Sequence, residues 1–593
     1  MAHAVERAWR PGRALALVAG LLLAGGVLIP TTPAQPPKKP ADKPRETKPQ
    51  DPKPAGPRQK VIQLPSDAGN DVREMVDVIN KALEDAWKEN KVTPSRPADD
   101  YEFIRRASLD IIGRIAKPEE VAQFLKDPKE TRRSLLIERL LASPDYPRHW
   151  ANVWTNWLLS RAGIFGRGMY HEQLATWLED KFADTGGEKN RNPWNKIVTD
   201  LITATGKNTD NGAVNFILAH VGEAVPPPRR GEDGMFEMVP ITSRVTRLFL
   251  GVQTQCTQCH DHPFDANLKQ KHFWGINVLL RQVVREGTPP MENMRRMTLT
   301  PLTLKDNNSA NPSLVVGFEK RNGVVLETKP LFFDKKLEIG KEANRREELA
   351  RLIVEHDNFP KAYVNRIWSV FFSKGLANPI DDFNEQTQVA HPELLAKLSE
   401  KFKHYGYDSK KLIRWICNSE AYNLSVVANK TNDKQDHEVL FSRMLMKSMS
   451  PEQLFESLMI ATQSEQGKDA RQQQLDRWLG NLVSNFGDDE GNEVNFNGTV
   501  VQALMMMNGQ DINDAITRNK GTVAWALSKG RFPAQRVNSL YLAALNRPVG
   551  QAEFQRIMQK MPLHHGVIDK TESAPYQDLL WALLNSNEFM LNH

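Results

Sequence analysis

The sequence predicts a mainly α, multi-domain helical protein with a small β-rich insertion between two helical halves. Three observations lead there. Apolar residues recur at helical spacing over 70–283 and again over 344–593. Residues 284–343 change character, to short β-branched runs separated by turn residues. With 40% hydrophobic and 25% charged residues over 593 positions, the chain can furnish two or three domain-sized cores.

The first elements are not part of that fold. Arg7, Arg10 and Arg13 precede an apolar run from Ala14 to Ile29, and Thr32-Pro33-Ala34 offers small residues for a cut. This layout predicts a secretory signal over 1–34 and an exported protein of the periplasm or cell surface. The run is short for a membrane span, which needs about 20 apolar residues, and Gly25, Gly26 and Pro30 weaken it further. Residues 35–60 carry eight prolines and almost no apolar side chains, which predicts a disordered Pro/Lys-rich tether. The net charge of +6 sits on these two segments, and the rest of the chain is close to neutral. A nucleic-acid binder shows its basic excess on the folded domain, so that class is excluded. Membrane contact is expected only through the signal segment or tether.

Within the first half (70–283), Val72, Met75, Val76, Ile79, Leu83 and Trp87 mark one helix, and Tyr101 to Ile112 a second. Pro118-Glu119-Glu120 starts a third, with proline in the first turn and acids at the positive end of the dipole. Thr131 to Leu141 is another. Trp150, Trp154 and Trp157 fall on one face of the next, predicting an aromatic core seam. Asn192 reads as the cap and Pro193 as the first residue of the helix carrying Ile197, Leu201 and Ile202. Ile241 to about Gln255 and Lys269 to about Val284 complete this half. In the β-rich stretch, Arg296–Thr300, Leu314–Phe318 and Val324–Thr328 are strand-like, and Asn322-Gly323 predicts a hairpin between the last two. Helices then follow at Leu349–Ile353, Val364–Phe372, His391-Pro392-Glu393 onward and Leu579–Phe589. Cys417 lies on an apolar stripe and reads as a core thiol.

The chemistry concentrates in Cys256-Thr257-Gln258-Cys259-His260. C-x-x-C-H is the spacing of covalent c-type haem: the thiols of Cys256 and Cys259 take the two vinyl groups and His260 ligates the iron. Two other readings use the same residues. One is a Cys256–Cys259 disulfide in a non-redox structural or interaction protein. The other is a zinc scaffold drawing on Cys256, Cys259 and His262 with His272 or an acid, although a second ligand pair is missing. For a haem, the sixth ligand is open among His149, His220, Met235, Met238 or none. Asp261, His262 and Asp265 form a neighbouring cluster that reads as helix capping. Arg244 and Arg247 read as solvated, and Asp381-Asp382 as acids of a surface turn. No nucleophile elbow, Walker loop or dinucleotide fingerprint is present, and no catalytic residue is assigned.

Several segments carry a resemblance. Asp100–Arg114 (DYEFIRRASLDIIGR), Leu140–Tyr146 with His149-Trp150, and Arg247–Gln253 running into Cys256–His260 and Asp261-His262-Pro263-Phe264-Asp265 are similar to a planctomycete cytochrome-type domain of unknown function. Val364–Trp368, Gly375-Leu376, Asp381–Phe383, His391–Leu395, Ser419–Tyr422 and Leu583–Phe589 resemble the domain that follows it in such proteins. At Phe372-Ser373-Lys374-Gly375 this chain departs from a more glycine-rich pattern. The resemblance implies a cytochrome-like, exported protein and supplies no reaction. The expectation is electron transfer or redox chemistry at one covalent haem c, with an exported redox or surface protein as partner. The second half would then dock that partner or a substrate such as a polysaccharide.

Overall fold

The computed structural model describes residues 63–159, 170–183, 192–287, 301–340, 343–464, 474–475, 510–518, 520–561 and 573–593. The signal segment, the tether and the strand expected at Arg296–Thr300 lie outside the described residues. Helix Asn70–Glu89 buries Val72, Met75, Val76, Ile79, Leu83 and Trp87, the positions its spacing selects. Helix Trp194–Thr203 begins one residue later than expected, with Pro193 and not Asn192 in the cap position. Helices Pro118–Lys126, Arg132–Leu141 and Pro392–His404 follow the expected starts. In the first of these, the Glu120 carboxylate accepts the N–H of Lys117 at 2.7 Å.

Helix Asp100–Ile112 departs from its expected single stripe. Asp99 caps it by accepting the N–H groups of Tyr101 and Glu102, and every side chain from Phe103 to Ile112 is buried. Polar groups inside such a helix must be partnered. Arg105 donates to the carbonyls of Ala544, Glu588 and Phe589 at 3.2, 3.0 and 2.7 Å. Arg106 donates to the carbonyls of Tyr422 and Leu424 and pairs with Glu102. Asp110 accepts from the Tyr422 hydroxyl at 2.8 Å and the Asn592 amide at 2.6 Å, with Lys447 Nζ at 2.6 Å. One early helix thereby fastens segments from the far end of the chain.

Apolar packing likewise ignores sequence order. A continuous core runs from Val72 to Met444, and a second joins Leu109 and Ile115 to side chains of 449–589. The tryptophan seam forms as expected. Trp154 lies 4.0 Å from the Trp194 ring and stacks within 5° of Tyr363, while Trp150 faces Phe371. It joins helix Asp145–Leu159 to helix Asn358–Phe372. Trp154→Ala is expected to cost about 3–5 kcal/mol, measured as a lower urea midpoint.

Ser373, just after helix Asn358–Phe372, adopts φ +64°. This is the left-handed region that glycine occupies without penalty, at the place where the chain departs from the glycine-rich pattern. Cys417 is fully buried, and burial pushes its thiol well above the usual range.

Among the described residues the β-rich stretch holds three antiparallel pieces, the smallest a two-residue pairing of Leu331–Phe332 with Lys335–Lys336. Strands β1 (Gly206–Lys207), β2 (Val283–Glu286) and β3 (Thr303–Asp306) form a sheet in the order β1-β3-β2, with Gly206 opposite Leu304 and Val284 opposite Lys305. Its partners therefore include the first helical half. The expected hairpin pairs β4 (Val316–Glu319) with β5 (Val325–Thr328) in the register Val316↔Thr328. Its turn is longer than a two-residue Asn-Gly turn. The Lys320 N–H bonds Val324 O, and Gly323 takes φ +78°, the geometry of a three-residue loop closed by a left-handed glycine.

Two expected helices end early. The one after Lys269 spans Gln270–Asn277, then gives way to a 3₁₀ turn and β2, because pairing with β3 claims Val283 and Val284. The last breaks into Ala574–Leu584 and Asn587–Met590, where Ser586 caps the second piece. Among the described residues, no helix is long and apolar enough to cross a membrane.

Candidate functional site

The helix leading to the thiols spans Val239–Leu250 and does not reach Gln255 as expected. Gly251 stops it at φ +63°: its N–H bonds Arg247 O and that of Val252 bonds Thr246 O, a left-handed cap that closes the last carbonyls. A Cβ here would also sit 2.6 Å from the Phe383 ring, so glycine is required twice over. The chain then enters a 3₁₀ turn, Thr254–Gln258. Residues three apart eclipse in such a turn, which sorts the motif into two sides. Thr254 and Thr257 face inward; Thr254 bonds the Thr246 hydroxyl at 2.8 Å, and Thr257 donates to Thr254 O at 2.7 Å. Cys256 and Cys259 are exposed as free thiols.

His260 is half-buried, with Nδ1 2.6 Å from the Asp261 carbonyl oxygen. Donation from Nδ1 fixes the tautomer and leaves Nε2 with a free lone pair, the arrangement of a metal-ligating imidazole. The Asp261 carboxylate serves a different end. It accepts the N–H of Gln270 at 2.9 Å and lies 3.7 Å from Lys269 Nζ, which is the expected capping role. Asp265 accepts the Asn267 N–H at 2.9 Å.

The zinc reading fits poorly. His262 Nδ1 accepts the N–H groups of Phe264 and Asp265 at 3.3 and 3.0 Å. His272 Nδ1 accepts the Lys269 N–H at 3.1 Å, with Nε2 3.2 Å from Asp334. In the neutral form both rings then carry their proton on Nε2 and offer no lone pair there. Among the described residues, no group of three or more His, Cys, Asp or Glu side chains is placed to hold a metal ion.

A cleft of about 460 Å³ opens beside the motif. Cys259, His260 and Asp261 line one side, and Lys320, Arg321 and Asn322 of the β4–β5 turn line the other. Gln270 holds the two together: its amide nitrogen donates to Gln258 O at 3.1 Å and to Glu319 O at 2.9 Å. Trp274 donates to Gln258 O at 3.0 Å and lies within 8° of parallel to Phe318 of β4. Sequence reasoning missed Gln270 and the turn cations as parts of the site. The only available signal was a buried-helix start within reach of the motif.

None of the residues considered as a sixth ligand lines this cleft. His149 packs against Trp150, with its ring close to Gly113. His220 uses both ring nitrogens, Nδ1 with Phe216 O at 2.8 Å and Nε2 with the Arg244 guanidinium at 3.3 Å. Met238 is buried and Met235 half-buried. Burial lowers His149 to about 4, and burial with Arg244 nearby lowers His220 to about 3. Because the unfolded chain binds these protons more readily, stability is full above the ordinary histidine value of about 6.5. It falls as pH drops from there, by about 1.4 kcal/mol per pH unit for each histidine, until about 4 for His149 and about 3 for His220. Urea midpoints across this range are expected to fall with acid, and less steeply in His149→Gln or His220→Gln.

Arg247 and Asp381 depart from their expected solvated roles. Arg247 Nε bonds Asp381 at 3.1 Å, and Arg366 takes the other carboxylate oxygen. Asp381 is thus a buried tie between the two halves, since arginine forks satisfy both of its oxygens.

Two family profiles match the chain in succession. Residues 78–285 match PSCyt2, described as a protein of unknown function (DUF1549), and residues 345–480 match PSD1, described likewise (DUF1553). No curated protein and no solved structure matches. The thiol motif falls inside the first matched region, and the Arg366–Asp381 tie inside the second. The chain carries the PSCyt2 and PSD1 domains of unknown function, in that order.

Proposed function

We propose that this chain is an exported protein holding one covalent c-type haem at Cys256 and Cys259, with His260 as the proximal ligand. Its role is electron transfer or redox chemistry in the periplasm or at the cell surface, toward an exported redox or surface protein. A link to polysaccharide processing is part of the same reading. One observation carries it: both thiols face out from one turn, and the adjacent imidazole is oriented through Nδ1 with Nε2 free.

Each thiol would add across one vinyl group, sulfur bonding one carbon and the thiol hydrogen passing to the other, so no oxidant is consumed. The bound group would supply one-electron chemistry. Within the chain, the buried threonines hold the turn rigid, and the Asp261 carbonyl aims the imidazole.

The test is the absorption of protein made in a cytochrome-maturing host. Haem bands that survive denaturation and solvent extraction support the reading. A colourless protein with Cys256 and Cys259 joined would instead indicate a non-redox structural or interaction protein.

A further inference from the structure

We propose that the β4–β5 turn is the anion-binding wall of this site, with Lys320 and Arg321 taking the two propionate carboxylates of the haem and Gln270 setting their distance from His260. This rests on the haem reading above and adds the residues that orient the group. Lys320 and Arg321 line the cleft across from His260. Among the described residues neither is paired with a carboxylate, whereas Lys269 lies near Asp261 and Arg247 bonds Asp381. The acid that shares the cleft, Asp261, already has its oxygens turned to Gln270 and Lys269. The cleft therefore presents two uncommitted cations and one committed anion, which favours a dianionic edge.

The turn is held in place relative to the motif. Gln270 is 3% exposed, and its one amide group bonds the carbonyl of Gln258 within the motif and that of Glu319 beside the turn. Trp274 repeats the link through Gln258 O and Phe318. A turn so tied can act as a positioning element, which a free surface loop cannot.

The experiment compares holoprotein from a cytochrome-maturing host with Lys320→Ala/Arg321→Ala, Lys320→Arg/Arg321→Lys and Gln270→Ala. Readouts are haem stoichiometry, the resonance Raman propionate-bending bands and the midpoint potential. The double alanine variant is expected to keep one haem per chain, shift the propionate bands and lower the potential, because lost positive charge favours the ferric state. The charge-preserving double variant should restore the potential, and Gln270→Ala should shift the bands with both cations still present. Propionate bands unchanged in the double alanine variant, on fully loaded protein, would overturn this assignment alone. A wild type without covalent haem would overturn the haem reading, and this assignment with it.

Discussion

Replacing Asp110 by alanine is expected to lower stability by about 3–5 kcal/mol, the cost of removing one partner from a buried ion pair. Asp110 is 1% exposed and meets three groups at once: Lys447, the Tyr422 hydroxyl and the Asn592 amide. Truncation leaves the Lys447 ammonium facing only the carbonyls of Val370 and Phe371, and strands the phenol in a dry environment. The three partners come from 422–592, so the loss is expected to loosen the attachment of the chain's last third to the first domain. Urea unfolding followed by tryptophan fluorescence reads this as a lower midpoint. Limited proteolysis should also show earlier cutting after residue 440. Lys447→Met should cost less, because Asp110 keeps two hydrogen-bond donors.

Cys256→Ala with Cys259→Ala is expected to abolish covalent haem completely while changing the stability of the haem-free chain by less than about 1 kcal/mol, since both side chains are exposed. His260→Ala should behave differently. It retains both thioether bonds and loses the proximal nitrogen, so the mass of the modified peptide stays high while the visible spectrum changes. Whole-protein mass and the haem absorption of extracted protein measure the two effects separately. A haem held without covalent bonds would be lost on extraction from the wild type as well.

Legibility followed the range of the interactions. Period and caps are local, so helix Asn70–Glu89, the Trp150–Trp154–Trp157 seam and the β4–β5 hairpin could be read directly. The C-x-x-C-H spacing is local too, and both of its thiols are exposed, Cys256 within the 3₁₀ turn and Cys259 just after it. Gly251 was a local stop signal masked by the apolar stripe that continues past it. What could not be read were pairings at long separation: Arg247 meets Asp381 across 134 residues and Arg105 meets Phe589 across 484. A clue existed in Phe103-Ile104-Arg105-Arg106-Ala107-Ser108-Leu109-Asp110, where three charges interrupt a helix too apolar to be a surface one. Charges in such a place need distant partners, but their identity depends on the tertiary fold. Gln270 was equally silent, because its role is to bridge two backbone carbonyls that only the folded chain brings together.

The most direct measurement is peptide mass spectrometry on natively produced protein, focused on the fragment spanning Cys256 to His260. That fragment is expected to carry the added mass of one haem, joined through both sulfurs. The same fragment recovered without that mass, whether as free thiols or as an internal disulfide, would contradict it.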